Sequence, residues 1–120
     1  MSASENLEIA RRWLTLFNAY DVDGLVALYA EDATHTSPKI RTLHPDTGGK
    51  LVGRANLERW WKDANKRLPG LRYELTALTA NDERVFMEYL RHAPHEPPMP
   101  VAEVLDIRDG RIVASRVYHG

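Results

Sequence analysis

Three sets of side chains in this sequence have the chemistry to act on a small molecule. Glu103 lies in Val101-Ala102-Glu103-Val104-Leu105-Asp106-Ile107, a strand-like run whose odd positions are otherwise apolar. A carboxyl enclosed by such neighbours is penalised in its charged form, so its pKa rises. It then serves as a neutral hydrogen-bond donor or a proton shuttle. His35 and His119 carry imidazoles, which titrate near neutrality and suit general acid–base work. The third set is aromatic: Trp13, Phe17, Tyr29, Trp60, Trp61, Tyr73 and Tyr89 can wall an apolar container.

Each set also has a plainer reading. Arg91 on the neighbouring strand would hold Glu103 as a structural ion pair. The two histidines would stand half-exposed and idle at the end of a sheet. Trp60 and Trp61 point about 100° apart on a helix, so at most one faces a pocket and both suit a core. A metal site has little to support it. His35, His44, His92, His95 and His119 are scattered with no HxH or HExxH spacing, and His44, Asp46, His92 and His95 read as solvated. No phosphate-binding loop, flavin motif or cofactor lysine is evident, so the expected reaction needs no cofactor.

Composition narrows the classes. The chain has 120 residues, enough for one domain with its own core, and no cysteine, which excludes disulfides and thiolate chemistry. Sixteen basic and seventeen acidic residues leave a formal charge of −1, which gives no electrostatic case for nucleic acid or an anionic membrane. No apolar run approaches the roughly 20 residues of a membrane span. The start, MSASENLEIA, lacks the basic and apolar parts of a secretion signal. A cytoplasmic protein is the expectation.

The elements that must position these groups follow from periodicity. Ser4 should cap a helix whose apolar stripe is Leu7, Ala10, Trp13, Leu14 and Phe17. Asp21-Val22-Asp23-Gly24 breaks it, and Asp23 can cap a short helix from Gly24 to Tyr29. A strand from Asp32 to Ser37 stops at Pro38, and its alternation is polar on both faces. Lys39 to Val52 reads as a long connection with a short extended piece at Ile40 to Leu43. A third helix runs from Gly53 to Leu68, with Leu57, Trp60, Trp61, Ala64 and Leu68 on its stripe. Four strands follow: Leu71 to about Thr79, Arg84 to His92, Val101 to Arg108, and Arg111 to His119 after the Asp109-Gly110 turn. Early helices and a late antiparallel sheet imply an α+β domain, a curved sheet with helices on its concave side. The segment Pro94-His95-Glu96-Pro97-Pro98-Met99-Pro100 would be a lid, a dimer contact or a plain rigid connection.

This order, together with Asn18-Ala19, the run Asp21 to Thr34 (DVDGLVALYAEDAT), Gly53-Arg54 and Asp109-Gly110-Arg111-Ile112, resembles the nuclear transport factor 2-like superfamily. Its SnoaL-like and ketosteroid-isomerase-like branches are the nearest. The resemblance covers about residues 5 to 120. It implies a cone-shaped curved antiparallel sheet wrapped around three helices, the cystatin-like α+β roll. It also implies that His35, Ser37, Tyr73, Leu75, Met87, Tyr89, Arg91, Glu103, Leu105, Ser115, Val117 and His119 look inward. Trp13, Phe17 and Tyr29, with Trp60 or Trp61, would close the cone. His35 and His119 would share one end of it.

Against the ketosteroid isomerases, Trp13 stands where a helix tyrosine donates to the enolate, and Ser37 where an aspartate is the base. Glu103 stands where a protonated aspartate donates a hydrogen bond. A serine cannot take a proton near neutrality without a second base. The Asp–Arg–Asp set of limonene-epoxide-hydrolase-like proteins aligns with Tyr89, Arg91 and Val117, and the Asp/His pair of SnoaL-like cyclases lacks its aspartate. The resemblance therefore implies a pocket for a small hydrophobic carbonyl compound, polyketide- or terpenoid-like. An isomerase, cyclase or dehydratase would use Glu103 as acid, with His35 moving protons and Tyr89 or Trp13 polarising an oxygen. The alternative is a non-catalytic binding or dimerisation module whose cavity is filled by side chains. Phe86, Leu90 and Val104 would point outward, and in the family a second copy of the sheet covers such a face, so a homodimer is implied.

Overall fold

The computed structural model describes residues 2–120. Helix α1 spans Ala3–Asn18, and Ser2 caps it, not Ser4: the Ser2 hydroxyl accepts from the Glu5 amide while the Glu5 carboxylate accepts from the Ser2 amide. The same reciprocity is unavailable to Ser4, which lies inside the helix. Helix α2 is Val22–Val26, earlier than expected, because Asp21 rather than Asp23 reaches the Gly24 amide at 2.9 Å. Tyr29 therefore belongs to a strand. β1 is Tyr29–Thr36, and its first residue is drawn into register opposite Ile112.

Ser37 and Pro38 open a helix, α3, Pro38–Leu43, where an extended piece was expected. The Ser37 hydroxyl accepts from the Lys39 amide at 3.1 Å, and proline at the first helical position is pre-set for that conformation. A 3-10 turn at Pro45–Thr47 leads to β2, Lys50–Val52, a strand too short to show alternation. Helix α4 (Arg54–Arg67) and strands β3 (Arg72–Ala80), β4 (Arg84–His92), β5 (Met99–Arg108) and β6 (Arg111–His119) complete the fold. Asp109 and Gly110 both take positive φ, which a two-residue hairpin turn requires.

The fold is an α+β roll with a six-stranded curved sheet in the order β2-β1-β6-β5-β4-β3. Four helices, not three, accompany it, and the sheet is mixed: β1 runs parallel to β6, and every other pair is antiparallel. The parallel pair arises because β1 reaches β6 across the fold rather than through a hairpin. Register then sets the concave face. His35 lies beside Ser115, which lies beside Leu105 and then Val85. One row along come Val117, Glu103 and Met87; the next holds His119, Val101, Tyr89 and Leu75.

Leu75 occupies an inward register but is substantially exposed, since β3 is the edge strand and its pairing slips between Leu75 and Ala77. Met87, Leu105, Ile112 and Val85 bury completely beneath Leu25, Leu57 and Trp61, forming one core with the inner faces of α1 and α4. On the convex face Phe86 and Tyr118 are exposed and Leu90 is half-buried, whereas Val104 is already covered by the chain itself. No helix among the described residues is long and apolar enough to cross a membrane.

Candidate functional site

A cavity of about 210 Å³ lies between α1, α3, α4 and the concave sheet. Its aromatic wall is a continuous stack. The rings of Phe17 and Tyr73 are 3.9 Å apart and 13° from parallel, and those of Tyr73 and Tyr89 are 4.1 Å and 19°. Trp13 extends the stack at 5.4 Å from Phe17. Offset stacks of this kind add to the stabilisation from burial alone and leave flat faces for a ligand.

Glu103 borders this cavity and is 1% exposed. The Tyr89 hydroxyl donates to its Oε1 at 2.7 Å, while Oε2 is buried with no protein partner. Burial pushes the carboxyl up to about 8, against the smaller opposing effect of the Tyr89 hydrogen bond. At neutral pH Glu103 is therefore the protonated acid. The Tyr89 contact occupies Oε1 and leaves Oε2 as the carboxyl oxygen without a partner. The expected alternative, an Arg91–Glu103 ion pair, does not form. Arg91 lies opposite Met99 and Glu103 opposite Met87, four positions further along β5, and Arg91 pairs instead with Glu96 at 2.9 Å.

A second polar group is a chain of hydrogen bonds with a fixed direction. Trp13 Nε1 donates to the Tyr29 hydroxyl at 3.0 Å, Tyr29 is 2.9 Å from Ser115 Oγ, and Ser115 Oγ is 2.6 Å from His35 Nδ1. An indole N–H can only donate, so the Tyr29 oxygen accepts from it and the Tyr29 proton must go to Ser115. The buried Ser115 hydroxyl makes no other hydrogen bond among the described residues, so its own proton is satisfied only by donating to Nδ1, the arrangement in which His35 is neutral with its proton on Nε2. Burial lowers the imidazole to about 4, in keeping with that form. His35 thus borders the cavity as a neutral imidazole with an N–H donor on Nε2. Trp13 has spent its only donor on Tyr29 and cannot polarise a ligand oxygen.

Burial also raises the phenols of Tyr29, Tyr73 and Tyr89, with the Glu103 carboxylate adding to each. None of them ionises near neutrality.

Of the residues expected to meet a ligand, Trp13, Phe17, His35, Ser37, Trp60, Tyr73, Tyr89, Arg91, Glu103, Val117 and His119 border the cavity. Tyr29, Met87 and Leu105 do not: Tyr29 points to the His35 chain, and the other two fill the core below. Both Trp60 and Trp61 border the cavity, where at most one was expected. Trp60 stands edge-on to His44 at its rim, and Trp61 packs on Tyr29 and His35 inside. Two indoles are large enough to reach it from adjacent helical positions. His119 lies four residues beyond Ser115 on β6, so the two imidazoles stand at different depths and do not share one end. Burial, then the nearby Lys39 and Arg91 charges, hold His119 below its usual value.

The sequence reading missed Lys39, Arg67 and Glu96 in the wall. The Ser37-Pro38 cap was the available signal for Lys39, since it begins a helix against the strand. Nothing local marks Arg67 or Glu96.

Residues 10–115 match the SnoaL-like domain family. No curated protein matches the chain by sequence. Among solved structures, a SnoaL-like protein of unknown function from Burkholderia thailandensis superposes with a TM-score of 0.86 at 23% identity, covering 100% of this chain and 98% of that one. A candidate ketosteroid isomerase from Kribbella flavida gives 0.79 at 20% identity, over 98% of this chain and 79% of that one. A candidate polyketide cyclase from Sinorhizobium meliloti gives 0.77 at 20%, over 92% and 94%. At these identities the likeness is one of fold, and the family match extends over most of the sequence. The chain belongs to the SnoaL-like domain family.

Proposed function

We propose that the cavity binds a small, mainly apolar carbonyl compound and polarises its oxygen for isomerisation, cyclisation or dehydration without a cofactor. One observation carries this reading: Glu103 borders a cavity walled by aromatic rings and keeps on Oε2 a buried carboxyl oxygen without a partner, a donor in the neutral acid. A buried donor left unpaired costs about 1–3 kcal/mol, and a ligand oxygen would recover it. The His35 N–H would supply a second donor, and neutral donors in a dry site stabilise a developing enolate strongly. Tyr89 holds the carboxyl in place. Neighbours described as isomerase and cyclase candidates share the fold and are compatible with such chemistry. A second reading, a ligand-binding module without catalysis, is favoured by Ser37. It stands where the isomerases have their base, and its hydroxyl is taken up in capping α3.

The two separate by experiment. The bicyclic ketone 2-tetralone should raise the melting temperature of the wild type, and its α-protons should exchange with deuterium at least 100-fold faster than in buffer. Glu103→Gln should bind it about tenfold more weakly and lose the exchange. Binding unchanged in the variant, with no exchange in the wild type, would remove Glu103 from both roles.

We also propose that a second copy of the chain covers the convex face, where Phe86 and Tyr118 are exposed two strands apart. Sedimentation should find a dimer that Phe86→Glu dissociates. A wild-type monomer at 100 μM would refute it.

A further inference from the structure

We propose that the ligand carries a carboxylate, which Arg91 captures at the mouth of the cavity by displacing Glu96. This rests on reading the cavity as a ligand site and names the class of molecule it takes: an apolar ring system with an anionic group at one end.

Arg91 is the observation from which this starts. Its side chain is 7% exposed, yet only one nitrogen has a protein partner: NH1 donates to Glu96 Oε1 at 2.9 Å. The other guanidinium donors have no partner among the described residues, and they are not sealed in protein, for the only buried unpaired side-chain atoms there are Asn6 Oδ1 and Glu103 Oε2. They are accessible, on a residue that borders the cavity. A nearly buried guanidinium with an open fork is the geometry that binds a planar carboxylate through two bonds.

The surrounding charge agrees. Lys39, Arg67 and Arg91 border the cavity; Arg67 is paired with Asp63 at 2.6 Å, and the charges of Lys39 and Arg91 both act on His119. Against these cations the wall offers Glu96 and the neutral acid Glu103. The whole chain has a formal charge of −1, so this excess of positive charge is local to the mouth. Low-dielectric walls focus such a field and raise the local concentration of an anion.

Glu96 is built to give way. It lies in the connection between β4 and β5, its side chain is 40% exposed, and its one backbone tie is a 3.3 Å bond to Ala93 O. On leaving Arg91 its carboxylate returns to water, while Arg91 exchanges one anionic partner for another. The remainder of the ligand would then lie along the Phe17–Tyr73–Tyr89 stack toward Glu103.

Calorimetric titration with 2-naphthoate and its uncharged isostere 2-naphthamide tests this at low ionic strength. The acid should bind at least tenfold more tightly than the amide. Arg91→Gln should erase that preference, and Arg91→Lys should keep part of it, since the charge remains but the planar fork does not. Glu96→Gln should tighten the acid several-fold and leave the amide unchanged; a merely structural Arg91–Glu96 pair would instead weaken both. Equal affinity of acid and amide, or weaker acid binding in Glu96→Gln, overturns the carboxylate while leaving the cavity reading intact. If neither probe nor 2-tetralone binds, both readings fall.

Discussion

Glu103→Gln is expected to abolish most of the loss of stability that the wild type shows between pH 6.5 and 8.5. Unfolded, the carboxyl titrates at its ordinary 4.5; folded, burial holds it near 8. Between those values the folded form keeps a proton that the unfolded form has released, so stability falls as pH rises, by about 1.4 kcal/mol per unit. The contribution is complete below pH 4.5 and gone above 8. His35 works with the opposite sign. Its folded value of about 4 lies below the ordinary 6.5, so the unfolded chain holds the extra proton in that window and stability rises with pH. From 4.5 to 6.5 the two slopes oppose each other. Above 6.5 Glu103 acts alone. Urea denaturation should then show a loss of roughly 2 kcal/mol in the wild type from pH 6.5 to 8.5, and little in the variant. A loss of equal size in Glu103→Gln would mean that another group governs this pH range, and the neutral acid would go with it.

Ser115→Ala should destabilise the protein by about 2–4 kcal/mol, far more than the removal of one small hydroxyl from a surface. Ser115 is fully buried and is the one group that both accepts from Tyr29 and donates to His35. Alanine leaves a phenol proton and an imidazole lone pair unpaired in the same dry place. The variant also erases the direction that Trp13 imposes on the chain. Nitrogen-15 shifts of His35 should show a single Nε2–H tautomer in the wild type and a mixture of tautomers in Ser115→Ala. A cost below about 1 kcal/mol with unchanged shifts would show that the imidazole is oriented by something else.

The late strands were legible because alternation and turn chemistry are local. Leu71-Arg72-Tyr73-Glu74 alternates, and Asp109-Gly110 marks its hairpin without reference to the remainder of the fold. β1 was legible only in part. Its polar faces gave no direction, and its first three residues are strand because Tyr29 pairs with the distant Ile112. α3 and β2 are too short for a period to register, although Ser37-Pro38 is a helix start in plain view. Within the site, the inward set on β4, β5 and β6 came from the family resemblance together with a two-residue repeat. The partners did not. Arg91 meets Glu96 because the β4–β5 register sets Glu103 four positions beyond the residue opposite Arg91, and a repeat does not supply register. The tautomer of His35 depends on an indole in another element, which no strand pattern can disclose.

The parallel β1–β6 pairing has a kinetic consequence. His35 and Ser115 are 80 residues apart in sequence, and every other element from α3 to β5 is strung between them. Closing so long a loop is entropically slow, whereas the β3 to β6 meander zips between sequence neighbours. A refolding chain therefore acquires its sheet early and its oriented imidazole late. Until β1 docks, the molecule has most of its sheet but lacks a finished interior.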